Sequence, residues 1–235
     1  MRKDNEDMIP LLFLIGLFMG SFLYCISGDV KLLSRSRCDH CGHVLSPFDL
    51  VPLLSFLFLK GRCRYCGEKI SILYPLTEIL TGILYALNGI CIRDPVSLCE
   101  HLILTSVLLE ISFHDLKTFT IRNGSILFGI FLRFLFCLIG KGNFLNGLGH
   151  SLLIVCPFFL LSLILSSLTK KEAIGGGDLK LIFLLSLYTG PYHSLIALFL
   201  SSLFGLFVMI LHGKEKIPFA PCLCLGYLIV FLFVG

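Results

Sequence analysis

The chain has 235 residues, of which 56% are apolar and 14% charged, and its mean hydropathy is +0.93. Soluble domains carry about a quarter of their residues as charges, so this composition excludes an ordinary soluble domain. The net charge of +4 is a matter of membrane orientation, argued below, and gives no reason to invoke a nucleic-acid partner.

Crossing the hydrocarbon core of a lipid bilayer takes about 20 apolar residues in a helix. Apolar runs of this kind lie at 8–28, 72–92, 96–114, 125–140, 144–168, 178–190, 191–211 and 219–235. They predict an all-α fold, a polytopic membrane bundle of about eight transmembrane helices. By domain, 1–28 is a first transmembrane helix, 29–71 a cytoplasmic cysteine loop, and 72–235 a helical membrane domain. The first run is too long for a cleaved leader, and Ile26-Ser27-Gly28 passes straight into the cysteine loop. Of the 19 Lys and Arg, 14 fall in the loops 29–71, 115–124, 169–180 and 212–218. Arg2, Lys3, Arg93 and Lys141 lie on the opposite side, and Arg133 falls within a span. Basic loops stay in the cytoplasm, which places 29–71 there and both termini outside.

Within the 29–71 loop, Cys38-Asp39-His40-Cys41 and Cys63-Arg64-Tyr65-Cys66 form two CxxC pairs. Each pair can grip one edge of a metal, and two pairs complete a tetrahedral Cys₄ zinc site. Gly42 and Gly67 follow the second cysteine of each pair, where a turn can bring backbone amides toward the sulfurs. The loop has little apolar material for a core of its own, and a metal can supply the missing folding free energy. Free or redox-active thiols are the rival, and a reducing compartment argues against disulfides. His40 and His43 could substitute as ligands, but solvation suits them better. Cysteines 25, 91, 99, 137, 156, 222 and 224 sit in apolar runs, as small core residues do.

Ionisable residues inside a membrane domain are expensive and point to function. Five acids qualify: Glu78, Glu100, Glu110, Asp115 and Asp178. Asp115 closes the third span, and Asp178 opens the sixth after Gly175-Gly176-Gly177, both on the basic side. The sixth run spans about 13 residues, near 20 Å of helix. Either its cytoplasmic end is sunk below the surface or runs six and seven make a re-entrant hairpin, and both put Asp178 in a recess. The glycines allow backbone conformations closed to other residues and close approach by an extended substrate strand. Two carboxylates that share a site tend to hold one proton between them. One can then activate water while the other protonates a leaving amine. The alternative is structural: Asp178 caps its helix and Asp115 snorkels to the surface. The three glutamates suit hydrogen bonds between helices or a wet crevice, and His114 has no nucleophile to serve.

In order along the chain, these residues resemble one family, the prepilin peptidases or type IV leader peptidases. The similarity runs from Gly20-Ser21-Phe22 to Pro221. It passes through Arg37-Cys38, Cys41-Gly42-His43, Asp49-Leu50-Val51-Pro52, Ser55, Gly61 to Gly67 and Tyr74-Pro75-Leu76-Thr77-Glu78. Asp115-Leu116-Lys117 with Ile121 and Asn123, Gly175-Gly176-Gly177-Asp178-Leu179-Lys180 and Lys216-Ile217-Pro218-Phe219-Ala220-Pro221 complete it. The resemblance implies a GxGD-type membrane aspartyl protease of the cell membrane. Its substrates are type IV prepilin or pseudopilin precursors, cut after a glycine at the cytoplasmic face. It also implies S-adenosylmethionine as donor for N-methylation of the new terminus, with the cysteine loop involved. A competence or type IV pilus system is the client it points to. The chain departs from the family where Arg122 replaces a proline, Tyr24 an asparagine and Asp39 a proline. Loss of the proline at Arg122 bears on how the loop ends and not on a carboxylate, and Tyr24 bears on methylation more than on proteolysis.

Asp115 and Asp178 are therefore expected to share the acid and base roles. Gly175, Gly176 and Gly177 are expected to shape the cleft. Lys180 or Lys117 could bias the pair, though headgroup contact is the simpler role for both lysines. Pro218 most simply starts the eighth helix, with contact to the active site the sharper alternative. A proton- or metal-coupled transporter would show flux and no cleaved product. A non-catalytic assembly factor would bind the leader and tolerate loss of either carboxylate.

Overall fold

The computed structural model describes residues 3–28, 35–140, 142–170, 174–212 and 217–234. Arg2, Lys31, Lys141, Lys171, Lys214 and Lys216, which enter the orientation argument or the last motif, lie outside the described residues. The chain forms two compact units, Met1–Arg93 and Asp94–Gly235.

The first unit holds α1 (Lys3–Ile26), a short α2 (Leu54–Phe58) and α3 (Leu73–Cys91). The second holds α4 (Pro95–Thr118), α5 (Asn123–Leu138), α6 (Phe144–Thr169), α7 (Gly176–Tyr188), α8 (Pro191–His212) and α9 (Ala220–Val234). All eight predicted runs are thus helical, and β-structure among the described residues is limited to two isolated bridges in the cysteine loop. Met8–Ile26, Pro95–Thr118, Phe144–Leu168 and Pro191–Leu211 are long and apolar enough to cross a membrane. Asn123–Leu138 and Ala220–Leu232 are apolar but shorter. The chain is a multi-pass membrane protein.

α1 and α3 pack through glycines. A side chain at Gly16 would meet the Gly82 backbone at 2.7 Å, and one at Gly20 would meet the Glu78 backbone at 2.8 Å. Small residues let helix backbones approach where lipid provides no hydrophobic drive for association. Thr77, Glu78, Thr81 and Asn88 of α3 are buried, so its polar residues face protein.

The second unit is apolar outside and keeps several of its acids and histidines buried within a largely apolar interior. α6 and α8 expose rows of Leu, Ile and Phe. α4, with Glu100, His101, Glu110, His114 and Asp115, is mostly buried against α5 and α9. A solvent that cannot hydrogen-bond forces this arrangement. Arg133, which falls within the fourth predicted run, pairs with Glu100 at 2.7 Å and lies over the Tyr188 ring. α7 packs on α6, α5 and α9, burying Leu181, Leu184, Leu185 and Leu187. The seven cysteines outside the loop differ from the expectation of small core residues. Cys222 and Cys224 are buried, but Cys91, Cys99 and Cys156 are exposed, because a weakly polar thiol is also at ease on a lipid-facing surface.

Replacing Gly16 by valine should push α1 off α3 and cost about 1–3 kcal/mol. Gly149→Ala, where a Cβ meets nothing within 4 Å, should leave stability within about 0.5 kcal/mol. Thermal unfolding of both variants in detergent micelles checks the contrast.

Candidate active site

Asp94 caps α4 by accepting the Ser97 amide at 2.7 Å, and Pro95 occupies the first turn, where its missing N–H costs nothing. After 24 residues the helix closes at Phe119, whose left-handed backbone sends its amide back to the Asp115 carbonyl. Asp115 therefore sits in the last turn, 5% exposed. Its Oδ2 accepts the Ala220 amide at 3.0 Å. Ala220 is the first residue of α9, so a helix N-terminus with its unpaired amides faces the carboxylate. Cys222, in the first turn of α9, lies within electrostatic reach of the same carboxylate.

Asp178 lies in the first turn of α7, half-buried, and feels the charge of Asp115. The glycines before it differ in purpose. A Cβ at Gly175 would lie 3.1 Å from Asp178 Oδ2, and one at Gly177 would lie 3.3 Å from Ile121 Cβ. Gly176 faces open space. None of the three has a positive φ, so the need for glycine at Gly175 and Gly177 is steric, contrary to the conformational role expected from sequence. Gly175 leaves room for the carboxylate to fold back over the helix start. Gly177 lets the segment after α4 lie against α7.

That segment is fixed on both sides. Glu110 of α4 accepts from Ser125 at 2.5 Å and pairs with Arg122 at 3.3 Å. Arg122 stands where a proline was expected, and its ion pair holds the start of α5 in the proline's place. Lys180 donates to Asn123 Oδ1 at 2.9 Å, tying α7 to α5. Pro218 precedes α9, and Pro221 rather than Pro218 falls in its first turn. Sequence reasoning missed the Ala220 amide, since a backbone donor has no signature beyond the prolines that start its helix.

In the first unit, the four sulfurs of Cys38, Cys41, Cys63 and Cys66 lie within 4.8 Å of one another and could hold a metal ion. The two CxxC segments are near-copies. Gly42 and Gly67, at φ 68° and 72°, return their amides to the carbonyls of Cys38 and Cys63, each at 2.9 Å. The Cys38 and Cys63 amides bond His43 and Glu68 carbonyls in turn. The amides that reach sulfur belong to Cys41, His40 and Glu68 rather than to the glycines. Those of Cys41 and His40 lower the Cys38 thiol to about 6. At Cys66 the Glu68 amide favours ionisation, but burial and the three neighbouring thiols outweigh it and push the group up to about 12. Four sulfurs this close cannot all ionise without a cation to neutralise them. His40 and His43 are exposed and stand outside the cluster.

Asp49 braces the cluster, accepting from Ser46 and Tyr65 and pairing with Arg64 Nε at 3.0 Å. Burial disfavours its charge, but these partners prevail and hold it below the usual carboxylate range. The other two departures meet at Tyr74. Tyr24 packs edge-on against its ring, and Asp39 accepts from its hydroxyl at 3.4 Å.

Comparison with known proteins assigns both units. Residues 14–92 match the model of the bacterial peptidase A24 N-terminal domain, and 102–210 match that of the type IV leader peptidase family. A prepilin leader peptidase/N-methyltransferase of Bacillus subtilis (strain 168) is 32% identical over 241 residues, covering 96% of this chain and 94% of the relative. Proteins of the same name from Myxococcus xanthus (strain DK1622) and Neisseria gonorrhoeae are 35% and 29% identical. The matches cover 75% and 95% of this chain, and 55% and 90% of those relatives. No solved structure matches.

Arg122→Pro leaves the buried Glu110 with Ser125 but without its cation, and should destabilise the protein by about 1–3 kcal/mol. Pairing it with Glu110→Gln should recover most of that loss, as read from thermal unfolding of the single and double variants.

Proposed function

The chain belongs to the type IV leader peptidase family, and on that premise we propose that Asp115 and Asp178 are the acid and base with which it cuts type IV prepilin and pseudopilin precursors. The observation that carries the reading is their convergence. The last turn of α4 and the first turn of α7 bring two carboxylates within electrostatic reach, one buried and bonded to a helix N-terminus, the other beside an open glycine. The pair holds one proton. The ionised carboxylate takes a proton from water, and the resulting hydroxide adds to the scissile carbonyl carbon. The protonated carboxyl gives its proton to the amide nitrogen as the C–N bond breaks. The leader leaves with a new carboxyl terminus and the pilin with a new amine. The open space at Gly176 supports entry of an extended substrate strand there. Lys180, bonded to Asn123, positions α7 rather than pairing with the carboxylates.

The eight crossings read from the sequence, with the basic loops inside, support a cytoplasmic position at the cell membrane for this end of the second unit. Zinc is the metal proposed for the Cys₄ cluster. Tetrahedral Zn–S bonds of about 2.3 Å imply sulfur separations near 3.8 Å, and Cys38 and Cys66 stand 3.9 Å apart. Its role is structural, since the first unit holds little apolar core around the cluster. Methylation of the new amine, with S-adenosylmethionine as donor, rests on the relatives' names. That donor would supply an electrophilic methyl group to the amine that cleavage exposes.

Coexpression with a pilin-like precursor at matched enzyme levels tests the assignment. Wild type should remove the leader, and Asp115→Asn or Asp178→Asn should leave it intact; normal cleavage by either variant would make that carboxylate structural. Mass spectrometry of the product should find one added methyl group if the second activity is present. In the same assay Gly175→Ala should cost on the order of a hundredfold by displacing Asp178, while Gly176→Ala should keep near-normal cleavage. Purified protein should carry zinc, and Cys38→Ser with Cys63→Ser should abolish it in elemental analysis.

A further inference from the structure

The cysteine loop carries an exposed apolar face that neither the carboxylate pair nor the sulfur cluster explains. Leu54, Leu57 and Phe58 fall at i, i+3 and i+4 of α2, one side of a helix, and are 52%, 69% and 82% exposed. They are held outward by a built structure. Lys60 and Gly61, both at positive φ, close the helix by returning their amides to Leu57 and Phe56. The Phe56 ring folds inward over Gly61.

The position of α2 along the membrane helices says what covers this face. The Leu53 amide, at the start of α2, donates to Glu78 Oε2 at 2.9 Å. Glu78 lies five residues into α3, at the level of Gly20 on α1. Gly20 in turn is six residues inside the end of a helix that is long and apolar enough to cross a bilayer, or about 9 Å. So α2 begins alongside the terminal turns of α1 and α3, not beyond them. The neighbouring turns of α3 expose Ile72, Leu73, Leu76 and Ile79, which continue the apolar surface at this level. Lys60 and Arg62, directly after the helix, are exposed.

We propose that α2 is an interfacial anchor. Leu54, Leu57 and Phe58 lie in the headgroup–acyl boundary of an anionic lipid leaflet, and Lys60 and Arg62 meet its phosphates. Apolar burial of this shallow kind, backed by basic residues, is how amphipathic helices rest on membranes. Continuity with the exposed face of α3 and complementary charge favour lipid over a protein partner. The anchor holds the Cys₄ unit against the bilayer surface, independently of any peptidase activity.

The chain contains no tryptophan, so Phe58→Trp in the full-length protein gives a single indole reporter. Reconstituted in nanodiscs with anionic lipid, its emission should be lost to lipids brominated near the headgroup end of the chain. It should be protected from aqueous acrylamide. Exchange of Lys60 and Arg62 for glutamine should weaken the lipid quenching. Strong quenching by acrylamide without quenching by brominated lipid would overturn the proposal. Protection from both would also overturn it, and would assign the face to a second copy or a protein partner. Leu57→Trp, read in the same way, guards against a local defect at position 58.

Discussion

The hydrogen bond from the Ala220 amide to Asp115 joins the start of α9 to the end of α4 at 3.0 Å. Its strength comes from its setting. In a dry bundle a buried carboxylate needs a donor, and a helix N-terminus offers amides with no partners of their own. The rest of the second unit is consistent with keeping this contact in place. α4 runs buried between α5 and α9, the Glu110–Arg122–Ser125 group pins the turn into α5, and Lys180 ties α7 to Asn123. Each bond acts on the ends of helices that bear a carboxylate.

Glycine serves this protein in two distinct ways. At Gly42 and Gly67 the backbone is left-handed, and each residue closes a turn of the sulfur cluster. At Gly16, Gly20, Gly175 and Gly177 the backbone is ordinary, and the missing side chain makes room for a neighbouring backbone, a carboxylate or Ile121. Gly176 does neither. Three identical letters in a row thus hold one sterically open position between two filled ones.

The cysteine loop is organised around its cluster rather than around a core. Phe48, Leu50, Leu54, Leu57 and Phe58 face outward, and Asp49, Arg64, Tyr65 and Tyr74 supply the contacts that elsewhere a packed interior would. Three residues depart from the family resemblance, and the fold absorbs each locally. Arg122 gains Glu110, while Tyr24 and Asp39 both meet Tyr74. A substitution that brings its own partner can be accommodated without disturbing the neighbouring carboxylates.

Helix positions were legible from the sequence, because a lipid-crossing helix must be apolar over a length set by the bilayer. The CxxC spacing was legible too, since its geometry is local and each half closes within a few residues. Which acids face each other was an expectation from topology, and the family pattern supplied their order. What remained hidden depended on groups distant in the chain. Ala220 contributes a backbone amide that any residue but proline could supply. Arg122 appeared as the loss of a proline until Glu110, twelve residues earlier, came beside it. The exposed face of α2 is a short apolar run whose depth is set by one bond to Glu78. Periodicity and spacing record what a segment does with its own neighbours; tertiary packing decides which ends meet and which faces stay bare.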